Sequence, residues 1–450
     1  MTYRKFKVGN QYYNKLTSSE REMLKILEDV VEDTDEIYRK QLEDGFFMVG
    51  ITKQELEVAG KKDSEILSPF TYVDRKNGKL IAIPYHQLYA KYLEPIAQKI
   101  ENAAKFSENK LFKQYLLARA KSLRGGSYKK ADIAWLNVKN ANIDFSIAPF
   151  ERYLDKILFI KRSFQAHVGI IDRKNTELVK KYKDALYSSA KLTESNYHST
   201  AIPKKGIDVL VEMTPAISGY AADVLFSIEH FPCDLEIALK HGSKTLIYAS
   251  QTNLKFEKLY YPIFRTIFEK RFASRYSKDL LKEATVWSVT LYELGKQLHN
   301  FAGARERLQE LYGPIDEANG FASGIAHSKH LVVKGMISQD LLEAIIIIHI
   351  LWMFADWIYY LSNKHKESHV IGSSMLLNYY LSMGALKQSE GISWPNFSRI
   401  FFCIESMADN LSFLLQKGTY EDADGFIKKY ADLKSFEKFS KNLTHINLGV

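Results

Sequence analysis

An uninterrupted apolar run, residues 344–361 (AIIIIHILWMFADWIYYL), constrains the fold of this 450-residue chain more than any other stretch. The run is long enough to cross a bilayer, but His349 and Asp356 lie inside it, where polar groups are costly in lipid. A helix that is apolar on all sides is also typical of the centre of a large helical domain. We therefore predict a buried core helix and no membrane partner.

The chain from residue 256 to its end has helical periodicity almost throughout. The predicted helices cover residues 258–274, 278–303, 304–312, 315–334, 339–362, 369–388, 395–416 and 420–433. We therefore assign residues 256–450 to a helical lobe.

The first half of the chain is mixed. A capping box, Thr17 to Glu20, starts a helix that ends before Gly45, and Asn77-Gly78 is typical of a hairpin turn. Residues 142–148 alternate like a strand that Pro149 ends, with a helix expected before residue 168. Residues 206–214 and 243–250 are predicted as buried strands. Residues 1–255 thus form a mixed lobe, and the fold class is α+β, predominantly helical, with a small β core.

Composition narrows the class of protein. Hydrophobic residues make up 46% of the chain and charged residues 26%, which is typical of a globular protein. The formal charge of +9 comes from lysines scattered without blocks, so we expect a solvated surface and no nucleic-acid partner. Two cysteines and an N-terminus without an apolar segment favour a cytoplasmic location. The sequence leaves the oligomeric state open.

The side chains best suited to catalysis or metal binding lie between residues 286 and 324, on two predicted helices. The segment YELGKQ places Tyr292, Glu293 and Gln297 on the first helix. The segment IDEANGF places Asp316 and Glu317 at the start of the second. Carboxylates on neighbouring helices are suited to acid–base work or to holding a metal ion.

Several segments resemble, in the same order, motifs of the dipeptidyl peptidase III family of zinc metallopeptidases. They are IDFSIAPFERYLD, HFPCD, KHGSKTLIYAS, YELGKQ, IDEANGF, ESHVIGSSMLLNYYLSMGAL and GTYEDADGFIKKYADL, and they extend from about residue 111 to 433. The first has Ala148 where the family has glycine. The resemblance implies a two-lobed architecture with a helical lobe of the family's catalytic type.

The resemblance also implies a peptide-binding element in the first lobe. Glu151 and Tyr153 match the glutamate and tyrosine that hold the free amino end of a peptide. His230 and Cys233 stand at the two asparagine positions of the family's peptide-backbone clamp. A carboxylate and a phenol can together hold and orient an ammonium group, so a small peptide or another amine-bearing ligand is the expected partner.

At the zinc position the chain departs from the family. Tyr292 and Gln297 replace the two histidine ligands, whereas Glu293 keeps the general base and Glu317 the carboxylate ligand. With the shorter His-Glu-x-x-His spacing, the second ligand position would hold Lys296, a cation. A phenol and an amide are poor zinc ligands beside imidazole, so we predict that no cofactor is bound at this position.

The remaining histidines leave open whether His369 has a catalytic role and whether a zinc site exists elsewhere. His369 matches the family histidine that stabilises the transition state. A relocated zinc site would need three convergent ligands, and the candidates considered are His299, the pair His327 and His330, and His230 with Cys233.

Three functions follow from these motifs. The first is a protein like dipeptidyl peptidase III that lacks zinc and peptidase activity, a pseudoenzyme that keeps a peptide- or amine-binding cleft. The second is an active metal-dependent dipeptidyl peptidase or hydrolase with rearranged ligands. The third is a metal-free enzyme that uses Tyr292, Glu293, His230 or Cys233 for acid–base chemistry.

Overall fold

A computed structural model describes residues 1–190, 206–298, 301–362, 367–387, 392, 395–443 and 446. The chain folds into two compact units that interleave along the sequence. The sheet unit comprises Met1–Arg173, Leu210–Phe226 and Phe231–Ser250. The helical unit comprises Lys174–Val209, Ser227–His230 and Gln251–Val450. The predicted α+β class with a helical majority is confirmed.

Six strands form the main sheet, in the order β4-β5-β6-β8-β7 with β1 beside β6, and β2 and β3 form a separate hairpin. The β1–β6, β2–β3, β4–β5 and β5–β6 pairs are antiparallel. The predicted hairpin is confirmed, and Asn77 and Gly78 both have positive φ, as its tight turn requires. The strands are β1 (Tyr3–Lys5), β2 (Thr71–Lys76), β3 (Lys79–Pro84), β4 (Ile143–Glu151), β5 (Ser163–Ile171), β6 (Ile207–Gly219), β7 (Ile228–Phe231) and β8 (Ser243–Tyr248).

In the sheet unit, helix α2 (Ser18–Asp44) packs against strands β4 and β5. The capping box predicted for α2 is formed, because Thr17 accepts from the Glu20 backbone and Glu20 accepts from that of Thr17. The helices are α1 (Asn10–Tyr13), α2 (Ser18–Asp44), α3 (Lys53–Gly60), α4 (Tyr85–Leu88), α5 (Ala90–Lys105), α6 (Lys110–Gly125), α7 (Lys129–Leu136), α9 (Tyr220–Asp223) and α10 (Leu235–His241).

Within the described residues, the helical unit is mainly helical after residue 256, as predicted, and it also contains a helix from earlier in the chain. That helix, α8 (Arg173–Ala190), packs Tyr182 against Trp287 with ring centroids 3.9 Å apart. The remaining helices are α11 (Ala249–Lys255), α12 (Tyr261–Ile267), α13 (Lys270–Ala273), α14 (Lys278–Leu298), α15 (Ala304–Leu308), α16 (Tyr312–Val333), α17 (Gln339–Leu361), α18 (Glu367–Ser382), α19 (Phe397–Gln416), α20 (Tyr420–Tyr430) and α21 (Lys434–Leu443).

The apolar run forms α17, and 94% of its most apolar window is buried within the fold. Among the described residues, this helix alone has the length and composition to cross a membrane. Its polar side chains have partners on α18: His349 Nε2 lies 2.9 Å from the Tyr380 hydroxyl, and Ser373 donates to Asp356 at 2.8 Å. Burial lowers the pKa of His349 to about 3, so the side chain is neutral. The helix is a core helix, as predicted.

The prediction was wrong where β4 meets β5. The strand continues through Pro149 to Glu151, and the expected helix is instead β5. Proline is tolerated because β4 lies at the edge of the sheet and its register with β5 shifts directly after Pro149. All but the last residue of β5 are buried, so the strand lacks the alternation that would have distinguished it from a helix.

A buried carboxylate organises the loop between β4 and β5. Asp155 is 1% exposed and accepts four backbone N–H bonds of 2.9–3.0 Å from the loop, those of Ile157, Leu158, Ile160 and Lys161. The ammonium of Lys161 is buried too, and it donates to two backbone carbonyls and the Thr71 hydroxyl. The loop is thus fixed by charge-assisted hydrogen bonds.

Asp155→Ala removes the acceptor of these four bonds and leaves buried donors without a partner. We expect a loss of about 3–5 kcal/mol in the free energy of unfolding, measured by urea denaturation with tryptophan fluorescence. The matched control is Asp29→Ala at an exposed position of α2, where we expect a change within about 0.5 kcal/mol. Equal effects for both variants would contradict the role given to Asp155.

Candidate functional site

Helices α14 and α16 approach each other unusually closely because glycines line their contact. A Cβ atom at Gly295 would lie 2.5 Å from the Gly320 carbonyl oxygen, and one at Gly324 would lie 2.0 Å from that of Leu291. Only glycine fits at such separations. The close approach places the side chain of Tyr292, and those of the next turn of α14, directly against the first turns of α16.

Helix α18 reaches the same place by a similar contact. A Cβ atom at Gly372 would lie 2.8 Å from the Pro314 carbonyl oxygen at the start of α16. The histidine one turn earlier, His369, therefore lies beside α16, with Nδ1 3.3 Å from a carboxylate oxygen of Glu317. The structure brings together the predicted His369 and Glu317.

An ammonium group lies at the centre of this helix junction. The Nζ atom of Lys296 is 2.9 Å from Asp316 and 3.2 Å from Glu317. It also donates to the Tyr292 hydroxyl at 3.3 Å, and that hydroxyl donates to Glu317. Lys296 is 19% exposed and Glu317 8%. The α14–α16 ion cluster, as we call Tyr292, Lys296, Asp316, Glu317 and His369, is thus held together by opposite charges in contact and is largely enclosed.

The cluster fixes the charge of its members. Burial lowers the pKa of Lys296, but the attraction of Asp316 and Glu317 outweighs burial and raises that pKa well above its ordinary value. Burial raises the pKa of Glu317, but His369, Lys296 and the Tyr292 hydroxyl outweigh it, and the pKa falls to about 2. Because this pKa is depressed, Glu317 stabilises the fold above pH ~4.5 and the contribution is lost as pH falls toward 2.

Tyr292 is held in an aromatic cluster. Its ring lies 4.5 Å from that of Phe321 and 5.4 Å from that of Trp352. Burial, and then the charge of Glu317, raise the pKa of Tyr292 well above its ordinary value, so the phenol keeps its proton. It acts as a hydrogen-bond donor to Glu317 and not as a base.

Glu293, the predicted general base, lies on the neighbouring face of α14. Its carboxylate accepts a 2.9 Å hydrogen bond from the Gln297 amide and is 8% exposed. Burial raises the pKa of Glu293, whereas Lys296 and the Gln297 bond act in the opposite direction. The two predicted positions Glu293 and Gln297 are therefore partners of each other.

A zinc ion does not fit the residues at the position implied by the resemblance. Of the side chains there, Tyr292 is a protonated phenol, Gln297 directs its amide to Glu293, and Lys296 places a positive charge between the carboxylates. Zinc needs three deprotonated donors, and only Glu317 remains of the set. No chemistry through a metal ion follows at this place.

The predicted peptide-binding residues are divided between the two units: Glu151, Tyr153 and Cys233 belong to the sheet unit and His230 to the helical unit. In the sheet unit, the Tyr153 ring stacks on that of Tyr220, with centroids 5.7 Å apart, and Glu151 contributes to the raised pKa of Tyr220 after burial and Tyr153. Cys233 lines a cavity of about 390 Å³, as does Arg162, which donates to the Cys233 carbonyl at 3.4 Å.

His230 belongs to the helical unit. Burial, and secondarily the charge of Lys296, lower the pKa of His230 to about 4, so its imidazole is neutral at physiological pH. Of the relocated ligand candidates, His299 lies outside the described residues. His327 and His330 lie on α16, and neither belongs to a group of three convergent ligand atoms within the described part of the chain.

Sequence reasoning missed two features. Lys296 was identified only as a poor ligand, although a lysine four residues after Tyr292, with an Asp-Glu pair at the start of the next long predicted helix, was the available signal. Asp144, His167 and Glu212 in the sheet were not singled out, and each is a buried polar residue in an apolar strand.

Comparison with known proteins gives the fold. No protein-family model matches the chain. It is 24% identical over 427 residues to the protein named Nudix hydrolase 3 of Arabidopsis thaliana, a match that spans 92% of this chain and about half, 53%, of that relative.

Two solved structures match over nearly the whole chain. Dipeptidyl peptidase III from Caldithrix abyssi aligns with a TM-score of 0.84 and 20% identity, over 98% of this chain and 95% of that one. Dipeptidyl-peptidase III from Corallococcus sp. strain EGB aligns with a TM-score of 0.80 and 21% identity, over 98% and 93%. The chain has the fold of dipeptidyl peptidase III, as the order of its motifs predicted.

Proposed function

We propose that this protein is a dipeptidyl peptidase III-fold protein that has exchanged the catalytic zinc for an internal ammonium group and acts by binding peptides. The observation that carries the proposal is the position of the Lys296 Nζ between Asp316 and Glu317. It supplies the positive charge that these two carboxylates require in a buried site.

The charge distribution supports this exchange. Lysine can bind a metal only after losing its proton, and the pKa of Lys296 is raised well above its ordinary value. A zinc ion bound to Glu317 would be repelled by the positive charge of Lys296, whose Nζ atom lies 3.2 Å from the Glu317 carboxylate.

Loss of the metal also ends the role of Glu293. In metal-assisted hydrolysis the base removes a proton from a water molecule whose acidity the ion has increased. Without that ion the water stays weakly acidic, and Glu293 is a buried carboxylate paired with Gln297. We therefore infer that the chain does not release dipeptides by zinc hydrolysis at this position.

The sheet unit supplies the groups for the binding function. Glu151 carries the charge that would pair with a free amino group, and Tyr153, fixed by its stacking on Tyr220, would orient it. The adjacent Phe150 lines the cavity of about 390 Å³, and Arg162 at the same cavity offers a partner for a carboxylate. A short peptide has both charged ends that such a surface would recognise.

The name of the Arabidopsis relative describes a protein of which this chain spans about half. We place the peptide-binding function in the cytoplasm, as the sequence predicts.

Restoring both histidines should restore zinc binding only when the lysine is removed as well. We expect the triple variant Tyr292→His, Lys296→Gly, Gln297→His to bind about one zinc ion more per chain than the unaltered protein, measured by mass spectrometry of metal content. The matched control, Tyr292→His with Gln297→His, keeps Lys296 and should gain none. Equal gains in both variants would show that the ammonium does not replace the ion.

Removing the charge of Glu151 should weaken peptide binding through the amino end. By isothermal titration calorimetry we expect Glu151→Gln to bind tetra-alanine at least about tenfold more weakly than the unaltered protein. Glu57→Gln, at an exposed position of α3, is the control and should bind normally. Equal affinity of the unaltered protein for free and N-acetylated tetra-alanine would contradict the amine-binding role.

A further inference from the structure

A second group of potential ligands lies in the sheet unit, far along the chain from the ion cluster. It consists of Asp144 on β4, His167 on β5 and Glu212 on β6. One ligand atom of each lies within 4.8 Å of the others. We propose that these three residues form a structural zinc site that ties three neighbouring strands together.

Strand register places the three side chains on one face of the sheet. On β5, Gly169 lies between His167, two residues before it, and Ile171, two residues after it. Asp144 of β4 is directly opposite Gly169. Glu212 of β6 is directly opposite Ile171. Residues two apart in a strand share a face. A Cβ atom at Gly169 would lie 2.3 Å from the Glu212 carboxyl group. Glycine at this position is therefore what admits the third ligand.

The distances fit ligands around an ion better than they fit hydrogen bonds. The Nε2 atom of His167 is 3.3 Å from Asp144 Oδ2 and 3.4 Å from Glu212 Oε1. A hydrogen bond between an imidazolium and a carboxylate is normally about 2.7–2.9 Å long, and one N–H cannot point at both oxygens. Donors around a tetrahedral zinc ion, each at about 2.1 Å, are about 3.4 Å apart.

Outer partners orient two of the ligands toward a common point. The indole N–H of Trp135 donates to Asp144 Oδ1 at 2.9 Å, which leaves Oδ2 for the site. The Tyr248 hydroxyl lies 3.3 Å from His167 Nδ1, so Nδ1–H can donate to it while Nε2 faces the carboxylates. Metal-binding histidines are usually held by such a contact on the second ring nitrogen.

The charge of the group also calls for a divalent ion. Asp144 and Glu212 are at most 2% exposed, and buried carboxylates are costly unless positive charge offsets them. A protonated His167 would supply one positive charge. A divalent ion would neutralise both carboxylates and leave the imidazole neutral.

The ligand set selects the class of ion and its role. Calcium and magnesium prefer oxygen donors alone, whereas imidazole with carboxylates suits zinc. Since all three side chains are at most 3% exposed, the site is closed to substrates and the ion is structural. Three ligand residues leave the fourth position of a tetrahedral zinc ion to an enclosed water molecule or to the second carboxylate oxygen of Glu212. Such an ion is taken up as the strands fold.

The test uses the full chain, produced with zinc in the medium and purified without chelator or histidine tag. We expect about one zinc ion per chain by mass spectrometry. The ion should be lost from Asp144→Asn and from His167→Gln, and retained in the control His241→Gln. X-ray absorption of the unaltered protein should show nitrogen and oxygen donors with one imidazole and no sulfur, a result that does not depend on any variant folding.

Glu317→Gln separates this inference from the proposed function. Zinc retained in Glu317→Gln supports the sheet site. Zinc lost from Glu317→Gln but kept in Asp144→Asn would place the ion at the α14–α16 ion cluster and overturn both proposals. An unaltered protein that holds no zinc, even after unfolding and refolding with excess zinc, would overturn the sheet site alone.

Discussion

The contact between the Lys296 ammonium and the carboxylates of Asp316 and Glu317 is the interaction on which the helical unit's central junction depends. Two buried carboxylates at the start of one helix repel each other unless a cation lies between them. Glycines at the α14–α16 contact bring the lysine close enough to meet this need. The same arrangement that stabilises the junction removes the conditions for a zinc ion.

Much of the fold could be predicted because its signals are local. Helix α17 follows from an apolar run with polar residues inside it, and the β2–β3 hairpin follows from Asn77-Gly78. The strand through Pro149 was mispredicted because tolerance of proline depends on an edge position that no local pattern reveals. Motif order predicted the dipeptidyl peptidase III fold, although each motif alone is weak.

The arrangements at these two places could not be predicted from the sequence. The sequence identified Tyr292 and Glu317 as former ligand positions, yet the hydrogen bond between them depends on the distance between two helices. The convergence of Asp144, His167 and Glu212 depends on the register of three strands, which the spacing of these residues along the chain does not contain.

A double-mutant cycle between Lys296 and Glu317 tests most directly whether the ammonium has taken the place of the ion. The free energies of unfolding of Lys296→Met, Glu317→Gln and the double variant are measured at pH 7 against the unaltered protein. The ion-pair account predicts that each single variant loses about 3–5 kcal/mol and that the double variant loses much less than their sum. Strictly additive losses would show that the two charges do not depend on each other, and would contradict the account.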